Sequence, residues 1–228
     1  MDYTNIKIIF EDNHLLVCIK PPGVLSQASG QDLPDMLTLM KSYLKVKYSK
    51  PGNVYLGLVH RLDLNVEGIM VFAKTSKAAA RLSEAIRNHE FNKEYYAILQ
   101  GEIPVGKEET LIDSISKDEN TRKGFVDEEF GKESKLHYIV LSQKVVNGSK
   151  LTLVRIQLIS GRFHQIRVQF SSRGLPLYGD LKYGNEFPEL ENEIGLFEYK
   201  ITFPHPISKQ MLEFETTPKN GIFYSFFN

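Results

Sequence analysis

Two short runs in this chain concentrate side chains able to do chemistry. The first is His60-Arg61-Leu62-Asp63, a cation and a carboxylate set between apolar stretches. A carboxylate there is costly unless it is paired or faces solvent. It therefore reads either as a turn-capping aspartate beside a solvated arginine, or as a reactive group. The second run is Ser160-Gly161-Arg162-Phe163-His164-Gln165-Ile166-Arg167, a strand-to-helix turn rich in hydrogen-bond donors. Donors gathered at a helix N-terminus suit an anion. The alternative is an ordinary amphipathic helix with Arg162 and Arg167 in water and Ile166, Val168 and Phe170 inside. Other chemistries lack their motifs. There is no glycine-rich phosphate loop, no Gly-x-Ser-x-Gly elbow and no His-Glu-x-x-His among the six histidines. A single cysteine, Cys18, excludes an internal disulfide and zinc spacings built on cysteine pairs.

The elements that must position these runs follow from apolar patterning. Residues 6–10 and 14–20 read as a hairpin or two adjacent strands ending at Pro21-Pro22-Gly23, and a helix is expected from about Pro34. Val54–Val59 and Ile69–Phe72 read as buried strands flanking the Asp63 turn. Thr75 or Ser76 caps a helix reaching about Asn88, and Tyr95–Leu99 forms a strand closed by Gly101. Residues 107–133, polar and mixed in charge, read as a mobile insertion. Leu136–Leu141 and Leu151–Leu158 flank Asn147-Gly148, the dipeptide suited to a two-residue hairpin turn. A helix from Phe163 to Arg173 stops at Gly174, and Leu196–Phe203 and Met211–Glu215 close the chain as strands. The fold class expected is α+β, a mostly antiparallel mixed sheet with a few flanking helices, in one domain spanning 1–228.

At 228 residues, with 42% hydrophobic and 11% aromatic content, the chain supports a packed core and is not disordered. Its 28 basic and 28 acidic residues cancel, a total that argues against a polyanion partner. The distribution argues the other way. Residues 41–50 hold four lysines and no acid, 151–184 hold five basic residues against Asp180 alone, and 185–198 carry five glutamates and no base. Such segregation builds a local positive face on a neutral molecule. No basic n-region precedes an apolar run at the N-terminus, and no stretch of about 18 apolar residues occurs, so a cytoplasmic location and no membrane association are expected.

Taken in order, five segments resemble the RluA-type family of RNA pseudouridine synthases over nearly the whole chain: IIFEDNHLLVCIKPPGVLSQ, HRLDLNVEGIMVFAKT, NKEYYAILQGEIP, LVRIQLISGRFHQIRVQFSSRGLPLYGDLKYG and FPHPISKQMLEFE. The resemblance implies a pseudouridine synthase-like fold and an enzyme that isomerises uridines in structured RNA, a ribosomal or transfer RNA stem-loop. It implies no cofactor; no metal and a monomer are expected. It makes Asp63 the nucleophile, Arg167 the cation that keeps Asp63 ionised, and Tyr95 the residue that stacks on the target base and relays a proton. A free tyrosine, with a pKa of about 10, is a poor base unless its site assists it. Alternation puts Tyr95 and Tyr96 on opposite faces of their strand. Arg61 resembles the residue that fills the gap left by the everted nucleotide. His60, Arg162, His164 and Gln165 are implied RNA contacts. Departures from the family pattern are Val66-Glu67 where Thr-Ser is usual, Ser160 and Phe163 for threonines, and Gln169 for histidine. The alternative is a non-catalytic RNA-binding protein that keeps the fold.

Overall fold

The computed structural model describes residues 2–184, 193–219 and 221–227. The chain divides into two compact units, Met1–Asn92 with Lys200–Thr216 and Lys93–Tyr199 with Thr217–Asn228.

The first unit opens with β1 (Ile8–Glu11) and β2 (Leu15–Lys20), an antiparallel pair. Asp12 makes the turn between them, its carboxylate accepting from the N–H groups of His14 and Leu15 at 2.7 and 2.6 Å. Helix α1 (Met36–Lys47) is capped by Asp35, whose side chain accepts from Thr38 N at 2.9 Å. Pro34 thus precedes the cap instead of entering the first turn. Of the strand expected over 54–59, only β3 (Gly57–Leu58) finds ladder partners, opposite Ala73 and Phe72. Strand β4 (Glu67–Ala73) pairs β2 from Leu15↔Ala73 to Lys20↔Gly68. Both strands are buried on both faces, which is why they read as continuous apolar runs and not as alternation. Thr75 caps α2 (Ser76–Arg87), accepting from Ala78 N. The helix lays Ala78 and Leu82 on Val17, Ile69 and Val71 to form the core.

In the second unit β5 (Asn92–Gln100) pairs β9 (Ser149–Leu158), with Tyr95 opposite Ile156. The segment expected to be a polar insertion is instead ladder. It forms β6 (Glu108–Asp118), β7 (Lys123–Val126) and the first residues of β8 (Lys132–Val146), with β6 paired to both β7 and β8. Leu111 and Ile115 alone are fully buried in β6, so one sparsely apolar face suffices and composition hid the strand. The β8–β9 turn has φ of +50° at Asn147 and +82° at Gly148, as a type I′ hairpin requires. Helix α3 is shorter than expected, Gln165–Ser171, and starts late because His164 just before it is left-handed at φ +52°. Strand β10 (Leu196–Pro204) begins in this unit and ends in the first, where it pairs antiparallel with β11 (Met211–Glu215). A last helix, α4 (Gly221–Phe227), puts Ile222 and Phe223 on Ile98, Leu153, Phe197 and Tyr199. The architecture is α+β, and every strand pairing named here is antiparallel. Of the glutamate run at 185–198, residues 185–192 lie outside the described residues.

Candidate active site

In the first unit, the segment between β3 and β4 carries Asp63 half-buried and Arg61 exposed. It is anchored from behind at four places. Ser26 Oγ donates to the Leu62 carbonyl at 2.8 Å and accepts from Leu62 N at 3.0 Å. Gly23 N donates to the Leu64 carbonyl at 3.0 Å. His60 Nε2 accepts from Val71 N in β4 at 2.9 Å, and its ring lies 5.6 Å from Phe91. Expected as an RNA contact, His60 is a buried post behind the loop.

The fourth anchor is Lys20, fully buried at the end of β2. Its Nζ donates to the carbonyls of Pro21, Leu64 and Val66 at 3.0, 2.7 and 2.9 Å. Three donations use all three protons of an ammonium. Burial pulls the Lys20 pKa down to about 7, while the charges of Asp63 and Glu67 act to raise it. Burial likewise lifts the Glu67 carboxyl above its ordinary value, opposed by Lys20. Val66-Glu67, the departure noted above, therefore supplies one of the carbonyls and a counter-charge for this lysine. The Lys-Pro pair before a glycine turn was the signal for Lys20, but its target lies some 45 residues away.

In the second unit, Arg167 of α3 forms a two-point pair with Asp180: Nε donates to Oδ2 and Nη2 to Oδ1, each at 2.7 Å. Asp180 has a fully buried side chain and also accepts from the N–H groups of Lys182 and Tyr183. The guanidinium carbon lies 5.0 Å from the centre of the Tyr183 ring. A planar, permanently charged group held this way is fixed in position and charge. Tyr183 Oη accepts from Gly124 N at 2.6 Å and lies 2.8 Å from His164 Nδ1. The His164 ring stacks on Phe163 at 3.7 Å. His164, Arg167 and Tyr183 thus form one cluster. Asp180 and Tyr183 stand in the quoted Gly-Asp and Tyr-Gly pairs, the signal that could have nominated them.

Gln165 takes a different place from that expected. Gln165 is buried, and its Oε1 accepts from Ser160 Oγ at 2.9 Å and Arg162 N at 3.0 Å. Its Nε2 donates to Gln169, which donates in turn to Asp113 and the Ser134 carbonyl. With its amide committed to this network, Gln165 shapes the turn. Arg162 is exposed, with Nε donating to the Glu133 carbonyl at 3.0 Å. At seven residues α3 is too short for its N-terminus to act as an anion site by its dipole, so the donors of this run work as individual side chains.

Tyr95 is buried on β5, and its Oη donates to Glu198 Oε2 at 2.8 Å. Tyr96 points the other way and stacks on Tyr199 with ring centres 4.0 Å apart. The two tyrosines occupy opposite faces, as alternation requires.

Comparison with known proteins bears on what these groups serve. Residues 14–172 match the sequence profile of the RNA pseudouridylate synthase family. Over 205 residues the chain is 34% identical to the dual-specificity RNA pseudouridine synthase RluA of Vibrio vulnificus, covering 89% of this chain and 79% of that protein. Against the RluA of Haemophilus ducreyi it is 31% identical over 214 residues, 92% of each chain. Its backbone matches human RNA Pseudouridylate Synthase Domain Containing 1 with a TM-score of 0.76 over 96% of this chain and 86% of that one, at 22% identity, a likeness of fold.

Proposed function

The chain belongs to the RluA-type family of RNA pseudouridine synthases, isomerases that act on RNA, and we propose that it converts a uridine of a ribosomal or transfer RNA stem-loop to pseudouridine with Asp63 as nucleophile. The observation that carries this reading is the anchoring of the Asp63 segment. Its neighbours Leu62, Leu64 and Val66 are fixed through main-chain atoms by Ser26, Gly23 and Lys20, which sets where Asp63 stands. Family resemblance assigns the carboxyl its role.

The target nucleotide leaves its stack, and Arg61, exposed two residues before Asp63, takes the vacated space. Eversion costs a few kcal/mol, least in a loop, which favours a stem-loop substrate. The C1′–N1 bond breaks with Asp63 engaged, the base turns, and a C1′–C5 bond forms. The proton on C5 then leaves and one returns to N1, so atoms and electrons balance without oxidant, reductant or cofactor. Family resemblance makes Arg167, held by Asp180, the cation that keeps Asp63 ionised, because a positive charge offsets the desolvation that would otherwise protonate a carboxylate. Tyr95 stacks on the base and accepts the C5 proton. Arg162 and His164 contact the RNA backbone, and affinity falls as salt rises. The two units act as one catalytic domain, as a monomer in the cytoplasm.

The test is pseudouridine mapping on ribosomal and transfer RNA from cells lacking the gene. Purified enzyme restores pseudouridine at defined sites. Asp63→Asn keeps the fold and RNA binding and yields none. Pseudouridine made by a pure Asp63→Asn sample refutes the nucleophile, and RNA binding with no product from the native protein leaves a binding module.

A further inference from the structure

One buried titratable group of the second unit has no part in the reaction as described above. Glu198, on β10, is 0% exposed. Its Oε2 accepts the hydrogen bond from Tyr95, while its Oε1 has no hydrogen-bond partner among the described residues. Within the unit the titratable groups that face it are Tyr95 and Lys93, both on β5, and Lys93 acts on it through its charge. A buried carboxylate with one bare oxygen and a single neutral donor is poorly stabilised. Burial accordingly raises the Glu198 pKa from 4.5 to about 8, against the opposing effects of Lys93 and the Tyr95 hydrogen bond. Near neutral pH the group is mostly an acid and in smaller part a base, in contact with the one phenol that the reaction needs to take up a proton.

We propose that Glu198 is a positioning residue that acts through Tyr95: it receives the phenol proton as Tyr95 takes the proton from C5. The proposal rests on the reading of Tyr95 given above. A neutral phenol accepts a proton only if it gives up its own, and the 2.8 Å contact provides the route. As the C5–H bond breaks, its electron pair restores the C5=C6 double bond and its proton joins Tyr95 Oη. The proton already on Oη moves to Glu198 Oε2 in the same event. Glu198 begins this step ionised and ends it neutral, so it is re-ionised between turnovers. The rate of C5 proton loss climbs with pH until Glu198 is fully ionised. Lys20 titrates in a neighbouring range, but its deprotonation removes a positive charge beside Asp63, so it predicts a limb of opposite sign.

The experiment measures single turnovers on transfer and ribosomal RNA transcripts made with uridine or with 5-deuterouridine, from pH 6 to 9. In native enzyme the rate rises with pH through a midpoint near pH 8 and levels off towards pH 9. Glu198→Gln keeps the contact to Tyr95, slows turnover about 100-fold, enlarges the C5 isotope effect and flattens the pH limb. Native turnover in this variant, or slower turnover with an unchanged isotope effect and limb, overturns the relay and leaves Glu198 structural. Lys93→Met removes the cation that eases ionisation, so it moves the limb to higher pH. An unmoved midpoint overturns the relay even if Glu198→Gln does not fold. Tyr95→Phe separates this failure from that of the underlying reading: full activity there rejects Tyr95 itself, whereas an inactive Tyr95→Phe beside an unaffected Glu198→Gln rejects only the relay.

Discussion

The segment carrying Asp63 and the elements carrying Tyr95 and Arg167 are held by different means. Around Asp63 the bonds run to backbone: Lys20 to three carbonyls, Ser26 to both polar groups of Leu62, His60 to the N–H of Val71. In the second unit side chain meets side chain, Arg167 on Asp180 and Tyr95 on Glu198, and each partner is a buried carboxyl. Tying the main chain sets where a residue stands. Pairing the side chain sets the charge and the proton inventory of the group itself. Preorganised charge acts in the transition state without further rearrangement, which suits an arginine and a tyrosine.

This contrast can be broken from either side. The largest effect belongs to Asp180→Ala, which strips a largely buried arginine of its two-point partner and two N–H groups of their acceptor; it costs about 3–5 kcal/mol by chemical denaturation and loses turnover with it. Lys20→Met leaves three carbonyls without their donor, at roughly 1–3 kcal/mol for each that finds no water. It lowers kcat more than KM, because the Asp63 segment loosens while RNA contacts persist. Glu198→Gln tests the second unit through stability alone. The folded state holds its proton up to about pH 8 while the unfolded chain releases it near 4.5, so native stability falls as pH rises through that window. The glutamine protein does not titrate there, and its melting temperature overtakes the native one by roughly 2–4 °C for each kcal/mol of difference. The gap closes below pH 4, and a gap independent of pH contradicts the assignment. Ser26→Ala costs about 1–2 kcal/mol, seen in denaturant midpoint, with a modest fall in turnover. Smallest is Tyr96→Phe, within about 0.5 kcal/mol and near native activity. A large loss there, with Tyr95→Phe neutral, shows the catalytic face to be the other one.

Where the sequence misled, it was through side chains whose chemistry suits two roles. His60 and Gln165 carry the donors and acceptors of a nucleic-acid contact, yet His60 receives a β4 amide and Gln165 is consumed by Ser160, Arg162 and Gln169. Residue type cannot separate the two uses, because burial decides between them. The 107–133 segment was missed for a related reason: Leu111 and Ile115 give too sparse an apolar signal to stand out among charges, although β8 supplies a ladder partner along Glu108–Ile115 of β6.

The sequence alone determined whatever depends on neighbours within a turn or two: the Asn147-Gly148 hairpin, the Thr75 cap, the buried runs of β2 and β4, and the ordered motifs that carry the family resemblance. Only the tertiary structure decided that Lys20 holds the far side of the Asp63 turn, that Asp180 takes Arg167, and that Glu198 meets Tyr95 across 103 residues of chain. Local propensity acts over a few bonds, whereas these pairings are made by strand register and chain crossing, which bring together residues that no spacing in the sequence relates.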